Sequence, residues 1–331
     1  MGLFFSKSFD PATDVPDLKG KVAIVTGGNA GIGFATVQHL ARHGAKVYMG
    51  ARNEQRATAA LERLRAEGLG PGNGEVVWLK LDLGDPRETK RAAEELMRRE
   101  ERVDVLVNNA ALLLIPYQKS HDGIQDVVMV NYIGTYVFTR TLLPLLKRTA
   151  QEPGSDVRIV AVNSDANEQC PHDVRFRDLD DLNREFADKS FPQFLRYAYS
   201  KLMQWMFMRE LQQRLDEEGV PILCLGVDPG QVNTEGVRAY ATSVGPILAP
   251  IYTLVANLFF APPTKGAYGA VFAAASPVPR AREKEYRGAF VRNSGAVVSA
   301  SPLADRAELR KELWETTARV LKDLGVEIEA V

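Results

Sequence analysis

Six short runs rich in valine, isoleucine and leucine recur through the first two-thirds of the chain. They lie at 21–26 (KVAIVT), 45–50 (AKVYMG), 76–81 (VVWLKL), 103–107 (VDVLV), 157–162 (VRIVAV) and 221–227 (PILCLGV). Segments of helical character, ten or more residues long, separate them. Strands that read as unbroken apolar runs are buried on both faces, and their alternation with helices specifies a parallel sheet covered on both sides. The helices carry their own punctuation. In Asp85-Pro86-Arg87-Glu88 the aspartate can cap, the proline suits the first helical position and the glutamate can complete a capping box. Ser301-Pro302 opens a last helix with Leu309, Leu313, Val320 and Leu324 along one side and Gly325 at its end.

No composition break, Ser/Gly-rich linker or internal repeat divides the 331 residues. The expected architecture is α/β: a tail over 1–17, then one domain over 18–331 built on a doubly wound parallel sheet with flanking helices. A cover segment near 240–262 and the C-terminal helix complete it. The stretch 67–74 (EGLGPGNG) reads as a loop, because a strand pattern resumes at once. The stretch 165–195, polar and aromatic without strand signals, reads as an insertion over the carboxyl ends of the strands.

Composition excludes several classes. Lysine and arginine number 41 against 42 acidic residues, so no net field recruits nucleic acid or an anionic membrane. Only Cys170 and Cys224 are present, without metal-ligand spacing; this suits a reducing compartment, the cytoplasm, and no metal site is expected. No apolar run reaches the roughly 20 residues that span a bilayer, and no secretory leader is evident. Met1-Gly2 with Ser6 fits the loose N-myristoylation pattern. The apolar stretch 246–260, broken by Pro250, is too short to span; a substrate cover is preferred here to an interfacial membrane patch.

Two motifs carry chemistry. Directly after the first strand comes Thr26-Gly27-Gly28-Asn29-Ala30-Gly31-Ile32-Gly33, followed by a helical stretch at 34–43. Glycines there permit a tight turn and close approach of a pyrophosphate, whose charge sits at the positive end of the following helix. Far downstream, Tyr197-Ala198-Tyr199-Ser200-Lys201 contains Tyr-x-x-x-Lys. Residues i and i+4 of a helix share a face, so the Lys201 ammonium stands near the Tyr197 phenol, favours the phenolate and lowers its pKa. Tyr199 lies about 200° round the helix from Tyr197 and faces elsewhere.

The glycine loop resembles the TGxxxGxG loop of the short-chain dehydrogenases/reductases, and the resemblance continues in order over residues 18 to 295. Asn108-Asn109-Ala110 is similar to the family's NNAG motif, with Ala111 in place of the glycine. Asn131 matches its helix-borne catalytic asparagine, Ser164 its catalytic serine, Tyr197 and Lys201 its YxxxK, and Pro229-Gly230 its PG turn. The resemblance implies a Rossmann-type fold binding a nicotinamide dinucleotide. Its candidate contacts are Gly27, Asn29, Gly31, Ile32, Gly33, Asn109, Ala110, Tyr197, Lys201, Pro229, Gly230, Val232 and Thr234, with Asp82 and Leu83 at the adenine. It also implies that Tyr197 is the acid/base, Ser164 a second hydrogen-bond donor to the same substrate oxygen and Lys201 a ribose ligand. Asn131 is implied to hold a water that connects Lys201 to solvent. Residues 176–183 (FRDLDDLN) and Ser200-Lys201-Leu202 resemble the retinol-dehydrogenase-like branch and its fungal relatives.

Arg52 follows the second strand, where an acidic residue would serve the ribose hydroxyl of NAD and an arginine accommodates a 2′-phosphate. NADP(H) is therefore expected over NAD(H). Departures from the family pattern are Asn163 beside Ser164, Asn167 in place of a common histidine, and Asp228 before Pro229. They bear on substrate class. The stretch 246–260, with Phe191, Phe194 and Tyr240, suggests a greasy pocket for an aromatic, terpenoid or retinoid-like substrate; core or dimer contacts are the other reading of the same residues. The run Leu202, Met203, Trp205, Met206, Phe207, Met208 leaves its helix little polar face, so that helix is buried. In the family it packs against its copy, which implies a homodimer or homotetramer. The expected activity is interconversion of a carbonyl and an alcohol. An NADP(H)-binding protein without turnover, or a reductase of a C=C bond, are alternatives that the motifs leave open.

Overall fold

The computed structural model describes residues 9–69, 74–238 and 248–329. Its centre is an eight-stranded sheet: β1 (Val22–Thr26), β2 (Lys46–Ala51), β3 (Val76–Lys80), β4 (Val105–Asn108), β5 (Arg158–Val162), β6 (Leu223–Asp228), β7 (Phe290–Arg292) and β8 (Val297–Val298). The order is β3-β2-β1-β4-β5-β6-β7-β8. All neighbours are parallel except β7 and β8, which form an antiparallel edge. Strand order reverses between β1 and β4, and the crevice outside the strand ends at such a reversal is where α/β sheets bind ligands.

Side chains alternate along each strand and so sort into two cores. Ile24, Leu106 and Ile159 point to the first, with helices α3 (Pro86–Arg99), α4 (Thr135–Ala150) and α5 (Pro192–Glu217). Val25, Val107 and Val160 point to the second, with α1 (Gly31–Arg42), α2 (Glu54–Glu67) and α7 (Tyr268–Ala275). Helix α6 (Leu248–Phe259) stands apart from both and exposes Leu254, Val255, Leu258 and Phe259. The expected cap of α3 is present: the Asp85 carboxylate accepts from the backbone N–H groups of Arg87 and Glu88. Glu88 itself pairs with Arg91.

The structure refines the sequence reading at several points. Ser301-Pro302 opens only a 3-10 turn, Pro302–Asp305; extended Arg306 breaks the path, and the last helix, α8 (Ala307–Asp323), starts beyond it. The stretch 165–195, read as an insertion over the carboxyl ends of the strands, starts directly after β5 and is packed into the fold. It buries Ala166, Cys170, Phe176 and Phe186 in the first core, and its last four residues already belong to α5. Strands β7 and β8, three and two residues long, are too short to show periodicity. Ahead of β1, Phe9 meets Phe272 edge to face at 5.2 Å and Val15 is buried, while residues 1–8, with the acylation pattern, lie outside the described residues.

The last concerns the apolar run on α5. Leu202, Met203, Trp205, Met206, Phe207 and Met208 are buried within the single chain. Helix α8 roofs α4 and α5: its Trp314 lies 5.4 Å from the Tyr136 ring and 5.9 Å from the Phe207 ring. The guanidiniums of Arg140 and Arg214 stand 4.6 and 4.3 Å from the Trp314 centroid. Burial is as expected; its agent is the chain's own C-terminal helix.

Candidate active site

At the strand reversal opens a cavity of about 760 Å³. Its floor is the loop between β1 and α1. Gly27 and Gly31 both take positive φ (65° and 56°), which L side chains adopt at a cost. Gly33 serves differently: it does not line the cavity, but a Cβ there would lie 2.3 Å from the Gly27 carbonyl oxygen. The loop is tied down by Thr26, whose hydroxyl accepts from the N–H groups of Asn109 and Ala110, and by the Asn109 amide, which donates to the Thr26 carbonyl. Ala30 precedes α1 without a side-chain cap, leaving the first-turn N–H groups for an anion.

The other expected cofactor contacts, Asn29, Ile32, Arg52, Asp82, Leu83, Asn109, Ala110, Pro229, Gly230, Val232 and Thr234, all line this cavity. The two residues that follow β2 are Arg52 and Asn53, and the first acidic side chain, Glu54, comes only with the start of α2. A glycine cradle, an uncapped helix start and a cationic end fit a dinucleotide.

Ser164, Tyr197 and Lys201 share a wall of the same cavity. Ser164 follows β5, and Tyr197 and Lys201 are one turn apart on α5. The Ser164 hydroxyl donates to Asp165 Oδ1 at 3.3 Å and accepts from Ala166 N–H, and it stands close enough to the Tyr197 phenol to favour its ionised form. Burial raises the Tyr197 pKa; Ser164 opposes the shift, and the Asp228 and Asp165 carboxylates add to it. The net direction is thus upward, against the sequence expectation that Lys201 lowers it. Lys201 does not offset this burial. Its Nζ sits 5.8 Å from the Tyr197 ring centroid, donates to the Val162 carbonyl at 2.8 Å and is held by burial at a pKa of about 7.

Asn131 does not reach the cavity. It sits in a π-helical turn, Met129–Gly134, fully buried. Its Oδ1 accepts from Leu112 N–H, and its Nδ2 donates to the Leu112 carbonyl and the Ser200 hydroxyl. Ser200 in turn donates to the Tyr197 carbonyl. Tyr199 points away as expected, stacked on Phe176 with its hydroxyl on the Arg175 and Asp181 carbonyls.

These placements have a counterpart among known proteins. A family model for short chain dehydrogenases matches residues 21–172. A short-chain dehydrogenase/reductase of Armillaria gallica is 45% identical over 306 residues, 92% of this chain and 94% of the relative. The chain is a short-chain dehydrogenase/reductase. Human retinol dehydrogenase 14 is 36% identical over 78% of this chain and 75% of its own length. Among solved structures, a Mycobacterium paratuberculosis protein superposes with a TM-score of 0.67 at 27% identity, covering 95% of this chain and 98% of its own.

The two departures beside Ser164 in this dehydrogenase/reductase are structural joints. Asn163 Nδ2 donates to the Lys201 carbonyl and to Gln204 Oε1, while its Oδ1 accepts from Ser164 N–H and Asn167 Nδ2. Asn167 also donates to the Ser164 carbonyl and accepts from Ser301 N–H. Sequence reasoning missed this role, as it missed Leu112, Leu113, Leu114, Arg56 and Glu235 on the cavity wall. Residue type alone flagged the two asparagines; only the fold supplies their partners. Of the expected pocket aromatics, Phe194 and also Phe260 line the cavity, Phe191 is exposed outside it, and Tyr240 lies outside the described residues. Among the described residues there is no His/Cys/Asp/Glu group able to hold a metal. No helix among them is long and apolar enough to cross a membrane.

Proposed function

We propose that this dehydrogenase/reductase interconverts a carbonyl and an alcohol on a lipophilic or aromatic small molecule, preferring NADP(H) to NAD(H). The observation that carries the reading is one cavity holding Ser164, Tyr197 and Lys201 on one wall, a glycine cradle on its floor and Arg52 at its cationic end. A bound reduced nicotinamide supplies the hydride. The chain's own groups manage the oxygen. A carbonyl that accepts hydride develops negative charge, and the Tyr197 hydroxyl protonates it while Ser164 donates a second hydrogen bond. Burial raises the Tyr197 pKa, so the phenol keeps its proton until the more strongly basic alkoxide draws it off. Lys201, one turn along α5, holds the ribose, and the fraction of it that keeps its proton near neutral pH stabilises the phenolate left behind. Asn131 and Ser200 brace the turn of α5 that aims the phenol; both amide protons of Asn131 are used in this, so the water expected there would sit on a carbonyl oxygen.

Leu112, Leu113, Leu114, Phe194 and Phe260 support an apolar substrate, as does kinship with a retinol dehydrogenase. For NADP(H), the support is Arg52 in place of an acidic residue. A homodimer or homotetramer rests on kinship alone, since the face of α5 expected to pair is closed within one chain; sedimentation of the purified chain decides it. The central test is absorbance at 340 nm with NADPH across a panel of ketones and aldehydes. Tyr197→Phe should lower turnover of an accepted substrate roughly 10²–10⁴-fold while NADPH still binds. Unchanged turnover removes Tyr197 from the mechanism.

A further inference from the structure

Arg56 and Glu235 are 179 residues apart in sequence, yet their side chains form an ion pair, and both line the cavity. Arg56 lies in the first turn of α2, where Asn53 caps the helix by accepting from Arg56 N–H at 2.9 Å. A cation in a first turn opposes the helix dipole, so the guanidinium is better placed beside an anion. Glu235 supplies one. It follows Thr234, whose side chain stands 3.6 Å from where a Gly31 Cβ would be, so the chain after β6 passes over the glycine loop and is strapped to α2 by this pair. Arg52, one turn earlier on the same rim, makes no ion pair or hydrogen bond among the described residues. Two guanidiniums therefore share one end of the cavity, and a carboxylate already holds one of them.

We propose that Arg56 is a second ligand of the cofactor's 2′-phosphate and that Glu235 competes with it, so a 2′-phosphate binds by displacing the Arg56–Glu235 pair. The inference rests on the NADP(H) reading above. A phosphate monoester brings a charge of about −1.5 to −2 and three acceptor oxygens, and so outmatches a carboxylate for a guanidinium fork. A ribose hydroxyl does not, so NADH leaves the strap closed. Glu235 thus lowers affinity for every 2′-phosphorylated ligand and makes release of NADP⁺ easier, without touching the nicotinamide.

Calorimetry on the full chain with adenosine 2′,5′-bisphosphate and with 5′-AMP tests this. Both side chains are more than half exposed (57% and 64%), so the substitutions leave folding intact. Glu235→Gln should tighten the bisphosphate roughly two- to fivefold at low salt, the range of an exposed pair, and leave 5′-AMP unchanged. The gain should shrink as salt screens it. Arg56→Gln should weaken the bisphosphate about tenfold or more and abolish the effect of Glu235→Gln. Equal effects of Glu235→Gln on both ligands, or a gain that survives in the double variant, overturns the competition. If wild type prefers the bisphosphate and only Arg52→Ala removes that preference, the NADP(H) reading stands and the role of Arg56 falls. If wild type binds both nucleotides alike, the NADP(H) reading itself fails.

Discussion

Replacing Lys201 by methionine should stabilise this protein while removing its activity, and the gain should depend on pH in a defined way. Lys201 is buried, and burial lowers its pKa from 10.5 to about 7. At 1.36 kcal/mol per tenfold change, that difference corresponds to about 4–5 kcal/mol of destabilisation when the ammonium is held in the fold. Below pH 7 both folded and unfolded chains carry the proton, and the whole penalty is present. Between pH 7 and 10.5 the folded chain has lost its proton while the unfolded chain keeps it, so stability rises with pH. Above 10.5 both are neutral and the penalty is gone. Methionine has no such proton. Urea unfolding of wild type and Lys201→Met, followed by tryptophan fluorescence at pH 6, 7.5, 9 and 10.5, gives the difference directly. The stability of the variant relative to wild type should fall by most of those 4–5 kcal/mol across the range. The lost Val162 hydrogen bond shifts the whole curve but not its slope. A difference that changes by less than about 1 kcal/mol would refute the assignment of Lys201 as a desolvated amine. The variant should also show no turnover, an instance of stability traded against function.

Gly33→Ala should push the glycine loop apart, because its Cβ would meet the Gly27 carbonyl at 2.3 Å; dinucleotide affinity measured by fluorescence should fall at least tenfold. Asn163→Ala should leave Ser164 and Lys201 loosely aimed, lowering kcat with little change in KM, and steady-state kinetics separates the two. Trp314→Ala should cost about 3–5 kcal/mol, read as a lowered denaturation midpoint, because it empties the seam between α8, α4 and α5.

The sheet was legible because its six main strands are uniform apolar runs, a pattern that only a strand buried on both faces tolerates. The cavity residues were legible because glycines, Ser164 and Tyr197-x-x-x-Lys201 recur at spacings set by strand ends and helix turns. What escaped has a common cause. Asn163 joined to Asn167 and Ser301, Arg56 joined to Glu235, and Trp314 laid over Tyr136 are contacts between distant segments, and no local period records them. The direction of the Tyr197 pKa was misread for the same reason. Spacing puts a lysine near the phenol, but the enclosing protein decides how much of its charge survives.

The roof formed by α8 has a consequence for how the chain is made. Tyr136 and Phe207 wait for Trp314, which leaves the ribosome about a hundred residues after α5 is complete. At the usual 5–20 residues per second, an aromatic face lies uncovered for about 5–20 s in every round of synthesis. An apolar face uncovered during synthesis is prone to aggregate. Truncations or C-terminal fusions that delay the last helix should therefore reduce soluble yield more than their effect on the finished fold would suggest.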